Sequence, residues 1–137
     1  KIFRKYWFPA YSKIFMRARA KNVHVRLHSD GHNVEVALDL IKAGVTILNI
    51  QDLVNGINNI KRVCKGRVCV DLDVDRQRII PFGRPNEIKR HIKRVVKALN
   101  SPEGGLMLTV EVNPPTPLEN IKALCDALED AGCGPKF

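Results

Sequence analysis

The segment Val68-Cys69-Val70-Asp71-Leu72-Asp73-Val74-Asp75 alternates apolar and acidic residues with a period of two. An extended strand places Val68, Val70, Leu72 and Val74 on one face and Asp71, Asp73 and Asp75 on the other. A central strand covered by helices on both sides reads as apolar on both faces, and this one does not. Three like charges a few Å apart repel unless cations, protons or a metal compensate them, so the acidic face is expected to be a site or the polar lining of one. The same one-sided polarity recurs elsewhere: His24, Arg26 and His28 alternate with Val23, Val25 and Leu27, and Met107, Thr109 and Glu111 with Leu106, Leu108 and Val110.

Period and turn residues predict a helix over 2–20, which Pro9 starts or kinks. Strands are expected at Val23–Ser29, Val45–Ile50, Arg67–Asp75 and Leu106–Val112. Between them lie helices at Asn33–Ala43, at Asp52–Cys64 with an interruption near Asn55-Gly56, and at Pro85–Leu99. The closing helix, Pro117–Ala131, has Thr116 as N-cap, Pro117 at its first position and Glu119 three residues after the cap, and Gly132 ends it. A helix followed by four strand-helix units is an α/β chain with a parallel sheet and crossover helices. Four units form either a small open doubly wound sheet or half of a (β/α)8 TIM barrel, which takes about 250 residues. One apolar and one polar strand face favour the barrel, with Arg26, the histidines and the acids lining its lumen. Parallel barrels place their chemistry at the C-terminal strand ends, here His28 and Asp30, Asn49 and Gln51, Asp73 and Asp75, and Glu111.

A chain of 137 residues with 45% apolar content supports one compact domain. Its apolar runs are short of the roughly 20 residues of a membrane span, so no membrane association is expected. Cys64 and Cys69 form a C-x4-C pair, a weak metal signal without a second pair, and with Cys125 and Cys133 they read as buried free thiols of a cytoplasmic protein. The net charge of +9 gathers in residues 1–22 and on the helix from Ile88 to Lys97. There Ile88, Ile92, Val95, Val96 and Leu99 form the apolar stripe and the cations a solvated face. Binding motifs and interleaved aromatics are missing, which argues against nucleic acid as a partner. The basic, aromatic opening from Lys1 lacks the features of a secretory signal, and the chain reads as a fragment or a processed piece.

Four stretches then carry a resemblance: Leu27-His28-Ser29-Asp30-Gly31; Ala43-Gly44-Val45-Thr46-Ile47-Leu48-Asn49; Asp75-Arg76-Gln77 followed by Ile80-Pro81-Phe82-Gly83-Arg84-Pro85; and Pro114-Pro115-Thr116-Pro117-Leu118-Glu119-Asn120-Ile121. In order and spacing the chain resembles the C-terminal half of the uroporphyrinogen decarboxylase superfamily, which also holds the corrinoid-dependent methyltransferases that act with coenzyme M. The resemblance implies the last four units of a (β/α)8 barrel, with residues 1–137 as a single partial domain. It implies decarboxylation of an acidic tetrapyrrole or related substrate in porphyrin biosynthesis, or metal-dependent methyl transfer. The decarboxylases draw an aspartate and arginines from the N-terminal half and place a histidine after the last strand, where this chain has Val110-Glu111-Val112. The methyltransferases hold zinc with a His-x-Cys pair and a later cysteine; here His28 matches, Asp30 stands for the first cysteine and the Val110-Glu111 region for the second.

His28, Asp30 and Glu111 are therefore the candidate ligands of a divalent metal such as zinc, set against a polar network that fixes the turn at Gly31. Asp75, Gln77, Asn49 and Asp73 are the candidate substrate residues, the substrate being a small anionic molecule. For Asp75 the competing role is a cap on the loop containing Pro81-Phe82-Gly83. Asp71 and Asp73 are expected to pair with Arg26 and His24, and either one left unpaired would have a raised pKa and serve as a general acid. His32 and His91 read as exposed and receive no role. Open edges at Val23–Ser29 and Leu106–Val112 require cover, from the missing N-terminal half-barrel or from a second copy in a homodimer of catalytically silent half-barrels.

Overall fold

The computed structural model describes residues 1–132, so Cys133 lies outside the described residues. A π-helical segment, Phe3–Trp7, leads into α1 (Phe8–Arg19), with Pro9 in its first turn as expected. Then follow β1 (Arg26–His28), α2 (Ala37–Ala43), β2 (Ile47–Gln51), α3 (Asp52–Asn55) and α4 (Ile57–Cys64). The chain continues through β3 (Cys69–Asp73), α5 (Ile79–Phe82), α6 (Pro85–Leu99), β4 (Leu106–Thr109) and α7 (Leu118–Asp130).

The four strands form one parallel sheet in the order β1-β2-β3-β4. A doubly wound sheet reverses its strand order part-way across, whereas this one runs in sequence order as a barrel wall does. Leu48, Ile50, Val70 and Leu72 are buried among Leu40, Ile57, Ile60, Val95 and Leu99 of the helices. The helices thus cover the apolar strand face, while Arg26, His28, Asn49, Gln51, Asp71, Asp73 and Thr109 share the other. Burying about ten large aliphatic side chains at roughly 2 kcal/mol each is what pins this orientation of every strand, because a one-residue register slip would exchange the two faces.

Local chemistry decides the boundaries. Asn33 does not open α2: its Nδ2 folds back onto the carbonyls of Ser29, Asp30 and Gly31 at 2.6, 2.9 and 3.2 Å, so the helix starts four residues later at Ala37. Gly44 ends α2 at φ 115°, a left-handed conformation suited to glycine. A Cβ there would also stand 3.2 Å from that of Phe15, so the glycine lets α1 pack closely. Both outer strands are shorter than the sequence suggests. Val23 and His24 lie outside the ladder, and β4 stops at Thr109, whose carbonyl accepts from the Val74 amide at 3.0 Å. Thr116 is not the N-cap of α7: its hydroxyl donates to Asn113 O at 2.7 Å, and Pro117 occupies the cap position. α5 was not foreseen. It is one turn, tied to α7 by Asn120 Nδ2 donating to Ile80 O and Gly83 O at 2.9 and 2.8 Å. α6 begins where Glu87 Oε2 accepts from the Arg84 amide at 2.7 Å, and its stripe Ile88, Ile92, Val95 and Leu99 is buried as expected.

Candidate functional site

On the uncovered sheet face the side chains stack in three levels: Arg26 with Ile47 and Cys69, then His28 with Asn49, Asp71 and Met107, then Gln51 with Asp73 and Thr109. The lowest acid, Asp71, is fully committed. Arg26 Nε and Nη2 donate to its Oδ2 at 2.7 and 2.5 Å, and Thr109 Oγ1 donates to its Oδ1 at 2.6 Å. The pairing of Asp71 with Arg26 is as expected, but His24 takes no part, since its Nδ1 lies 3.3 Å from Thr46 Oγ1.

Asn49 links the middle level. Its Nδ2 donates to Asp71 O at 3.0 Å, which leaves its Oδ1 to accept from His28 Nδ1 at 2.5 Å. That bond places the His28 proton on Nδ1 and presents Nε2 to the rim, 3.7 Å from Asp30 Oδ1. Asp30 also accepts from Gln51 Nε2 at 3.0 Å, and Gln51 Oε1 accepts from the Gly31 amide at 3.3 Å.

Arg76, just beyond β3, gathers the acids of the rim. Its Nη2 is 3.2 Å from Asp30 Oδ1 and its Nε 3.6 Å from Asp73 Oδ2, and Nη1 contacts Glu111 Oε2. Desolvation works to lower the Arg76 pKa, but Asp73, Glu111 and Asp30 outweigh it and hold it above the ordinary value. Asp73 is 3% exposed, and its Oδ1 has no hydrogen-bond partner among the described residues. Burial pushes its carboxyl above the usual range, against Arg76 and Gln51, which favour the ionised form. Asp75 is turned to a different use: its Oδ1 accepts from the Gln77 and Arg78 amides at 3.1 and 2.8 Å, which fixes the loop into α5. Gln77 is exposed at that loop.

The structure therefore brings His28, Asp30, Asn49, Asp73 and Glu111 together, with Arg76 between the acids. Sequence reasoning quoted Arg76 but gave it no role, although a lone arginine directly after an acidic strand is a signal in itself. The expected metal triad does not fit a metal in this arrangement. Asp30 and Glu111 both turn to the guanidinium, neither cysteine of a thiolate site is present, and among the described residues no three His, Cys, Asp or Glu side chains converge as a metal site. A second correction concerns His91. It is 11% exposed rather than free in solvent, and its Nε2 lies 2.6 Å from Asp52 Oδ2. His32 stands 3.8 Å from Glu35. The thiols divide as well: Cys64 is buried, Cys69 half-buried and Cys125 exposed, so Cys125 departs from the expectation of burial.

A sequence model of the family described as uroporphyrinogen decarboxylase (URO-D) matches residues 1–131, almost all of the chain. The chain belongs to the uroporphyrinogen decarboxylase family. No curated protein matches it. Among solved structures, seven chains match, and one is a methyltransferase from Methanosarcina mazei, at 23% identity and a TM-score of 0.68. That match covers 93% of this chain and 36% of the methyltransferase, so the chain spans about a third of its length. At this identity the likeness establishes the fold: four consecutive strands of a uroporphyrinogen decarboxylase-type barrel wall, with the polar face as its lumen side. Among the described residues no helix is long and apolar enough to cross a membrane.

Proposed function

We propose that this chain is the C-terminal half of a uroporphyrinogen decarboxylase-type enzyme that removes CO2 from a small anionic substrate, an acidic tetrapyrrole or a relative, and that its N-terminal half-barrel completes the pocket. The observation that supports this reading is the pairing of Asp73 with Arg76 at the C-terminal rim. A guanidinium with one-fifth of its side chain exposed can hold a substrate carboxylate. A carboxyl whose pKa is raised by burial keeps its proton to higher pH than an ordinary aspartate and can deliver it to a reacting atom. In the step proposed, the bond from carbon to the leaving carboxylate breaks and CO2 departs. The electron pair stays on carbon and takes the Asp73 proton, and Asp73, left as carboxylate, is reprotonated from solvent. His28, Asn49 and Gln51 hold the neighbouring rim in place, while Asp75 and the Gln77 amide fix the loop that carries Arg76.

The test is to incubate the whole protein with reduced uroporphyrin under anaerobic conditions and separate the products by their number of carboxyl groups. Loss of carboxyl groups, abolished in Asp73→Asn, supports the reading. Unchanged substrate, or full activity in Asp73→Asn, overturns it. Methyl transfer from a methylcorrinoid to a thiol, together with tightly bound zinc in the purified protein, would instead establish the methyltransferase alternative.

A further inference from the structure

Three carboxylates share the guanidinium of Arg76, and they are not held alike. Asp73, 3.6 Å from Nε, is buried on β3 and is fixed in place. Asp30 is 3.2 Å from Nη2, but its Oδ1 also accepts from Gln51 Nε2 at 3.0 Å, which anchors it. Glu111 meets Nη1 from residues 110–113, a stretch beyond the last pair of the β3-β4 ladder that belongs to no helix or strand. Its side chain is 54% exposed, and among the described residues Arg76 is its one ion-pair partner. Of the three acids, Glu111 is the one that can turn away by side-chain rotation without giving up a second hydrogen bond.

Three acids outnumber one guanidinium, so a ligand carboxylate entering beside them would meet net repulsion. Even with Asp73 protonated, Asp30 and Glu111 already offset the charge of Arg76. A carboxylate therefore reaches this cation by exchange. We propose that Glu111 is a specificity-determining latch: in the free protein it holds the Nη1 edge of Arg76, and a carboxylate of an incoming polycarboxylate ligand displaces it and takes that edge. The exchange leaves the charge of the rim as it was. A half-exposed ion pair of this kind contributes no more than about fivefold to an equilibrium, so the latch opens readily. A ligand carboxylate held against the guanidinium fork inside a completed pocket is the stronger partner. An uncharged ligand has nothing to exchange and leaves the latch shut. The inference rests on the reading of Arg76 as the holder of a substrate carboxylate, but its test needs no turnover.

The test is isothermal titration of the whole protein with citrate, a tricarboxylate of the ligand class. Glu111→Gln, which removes the competing charge, should tighten citrate binding by about fivefold. Arg76→Met should weaken it by about tenfold or more. With Arg76→Met in place, adding Glu111→Gln should change nothing, because the latch acts only through the guanidinium. If Arg76→Met does not fold, Arg76→Lys serves instead: it keeps a charge but not the fork, and the gain from Glu111→Gln should shrink on it. No citrate binding by wild type, an unchanged affinity in Glu111→Gln, or a full gain that persists without the guanidinium overturns the proposal. Failure to decarboxylate, with this citrate pattern intact, would count against the proposed function alone. Decarboxylation with a KM indifferent to Glu111→Gln would count against the latch alone.

Discussion

Replacing Asn55 by alanine removes a buried side chain whose hydrogen-bonding groups are all satisfied. Asn55 is 1% exposed and makes four hydrogen bonds: its Oδ1 accepts from the amides of Asn33 and Val34 at 2.8 and 3.0 Å, and its Nδ2 donates to Gly31 O and Gln51 O at 3.0 and 2.9 Å. It sits at the end of α3 and ties the loop after β1, which carries Asp30, to the end of β2. Each of the four bonds contributes about 1 kcal/mol net, so Asn55→Ala is expected to cost about 4 kcal/mol. Asn55→Asp keeps the shape and both acceptor bonds but turns two donations into oxygen-oxygen contacts, so it is expected to fall at least as far at neutral pH and to recover in acid, where a protonated carboxyl regains one donor. Urea unfolding of the whole protein, followed by far-ultraviolet circular dichroism, measures both. A cost below about 1 kcal/mol for Asn55→Ala would refute the claim that this asparagine organises the rim.

Arg26→Met leaves Asp71, 1% exposed, with Thr109 as its side-chain partner, and because the arginine is itself half exposed the expected cost is about 2 kcal/mol, read as a lower urea midpoint; no change would show that water replaces the guanidinium freely. Burial raises the Cys64 thiol to about 11, against the opposing pull of Arg67, so at pH 8 Ellman's reagent should modify exposed Cys125 quickly and Cys64 only on unfolding; rapid modification of Cys64 in the folded protein contradicts this. Asp73 has a raised folded pKa, so its contribution to stability is fully present below the ordinary carboxylate range and is lost as pH rises through the folded value. Asp73→Asn should therefore raise the thermal midpoint at neutral pH relative to wild type and lose that advantage in acid, and equal midpoints at both pH values would contradict the burial argument.

The barrel wall was legible because each strand has one apolar and one polar face, and a pattern of period two survives even where strand ends are misplaced. Leu48, Ile50, Val70 and Leu72 fix the helix side, where they are buried. Strand and helix ends were less legible because they depend on side chains bonding to backbone, as Asn33 and Thr116 do, and such bonds have no period. Within the site, the Arg26 and Asp71 pair followed from alternation alone. Arg76 did not, since it lies in a loop whose path is set by Asp75 capping two amides. The pairing of His91 was hidden for a related reason: the residue falls beside the cationic face of an amphipathic helix, and its partner Asp52 lies 39 positions away in sequence.

The pH profile of decarboxylation by the whole protein tests most directly whether Asp73 is the acid of this rim. Because the protonated form is the one required, the rate should be full at low pH within the folded range and fall as pH rises through the raised Asp73 pKa. Asp73→Asn should lose that limb together with the activity, while Gln77→Ala, at the exposed edge of the loop, should keep the limb at the same pH. A rate that rises with pH across this range, or a basic limb that persists in Asp73→Asn, would contradict the assignment.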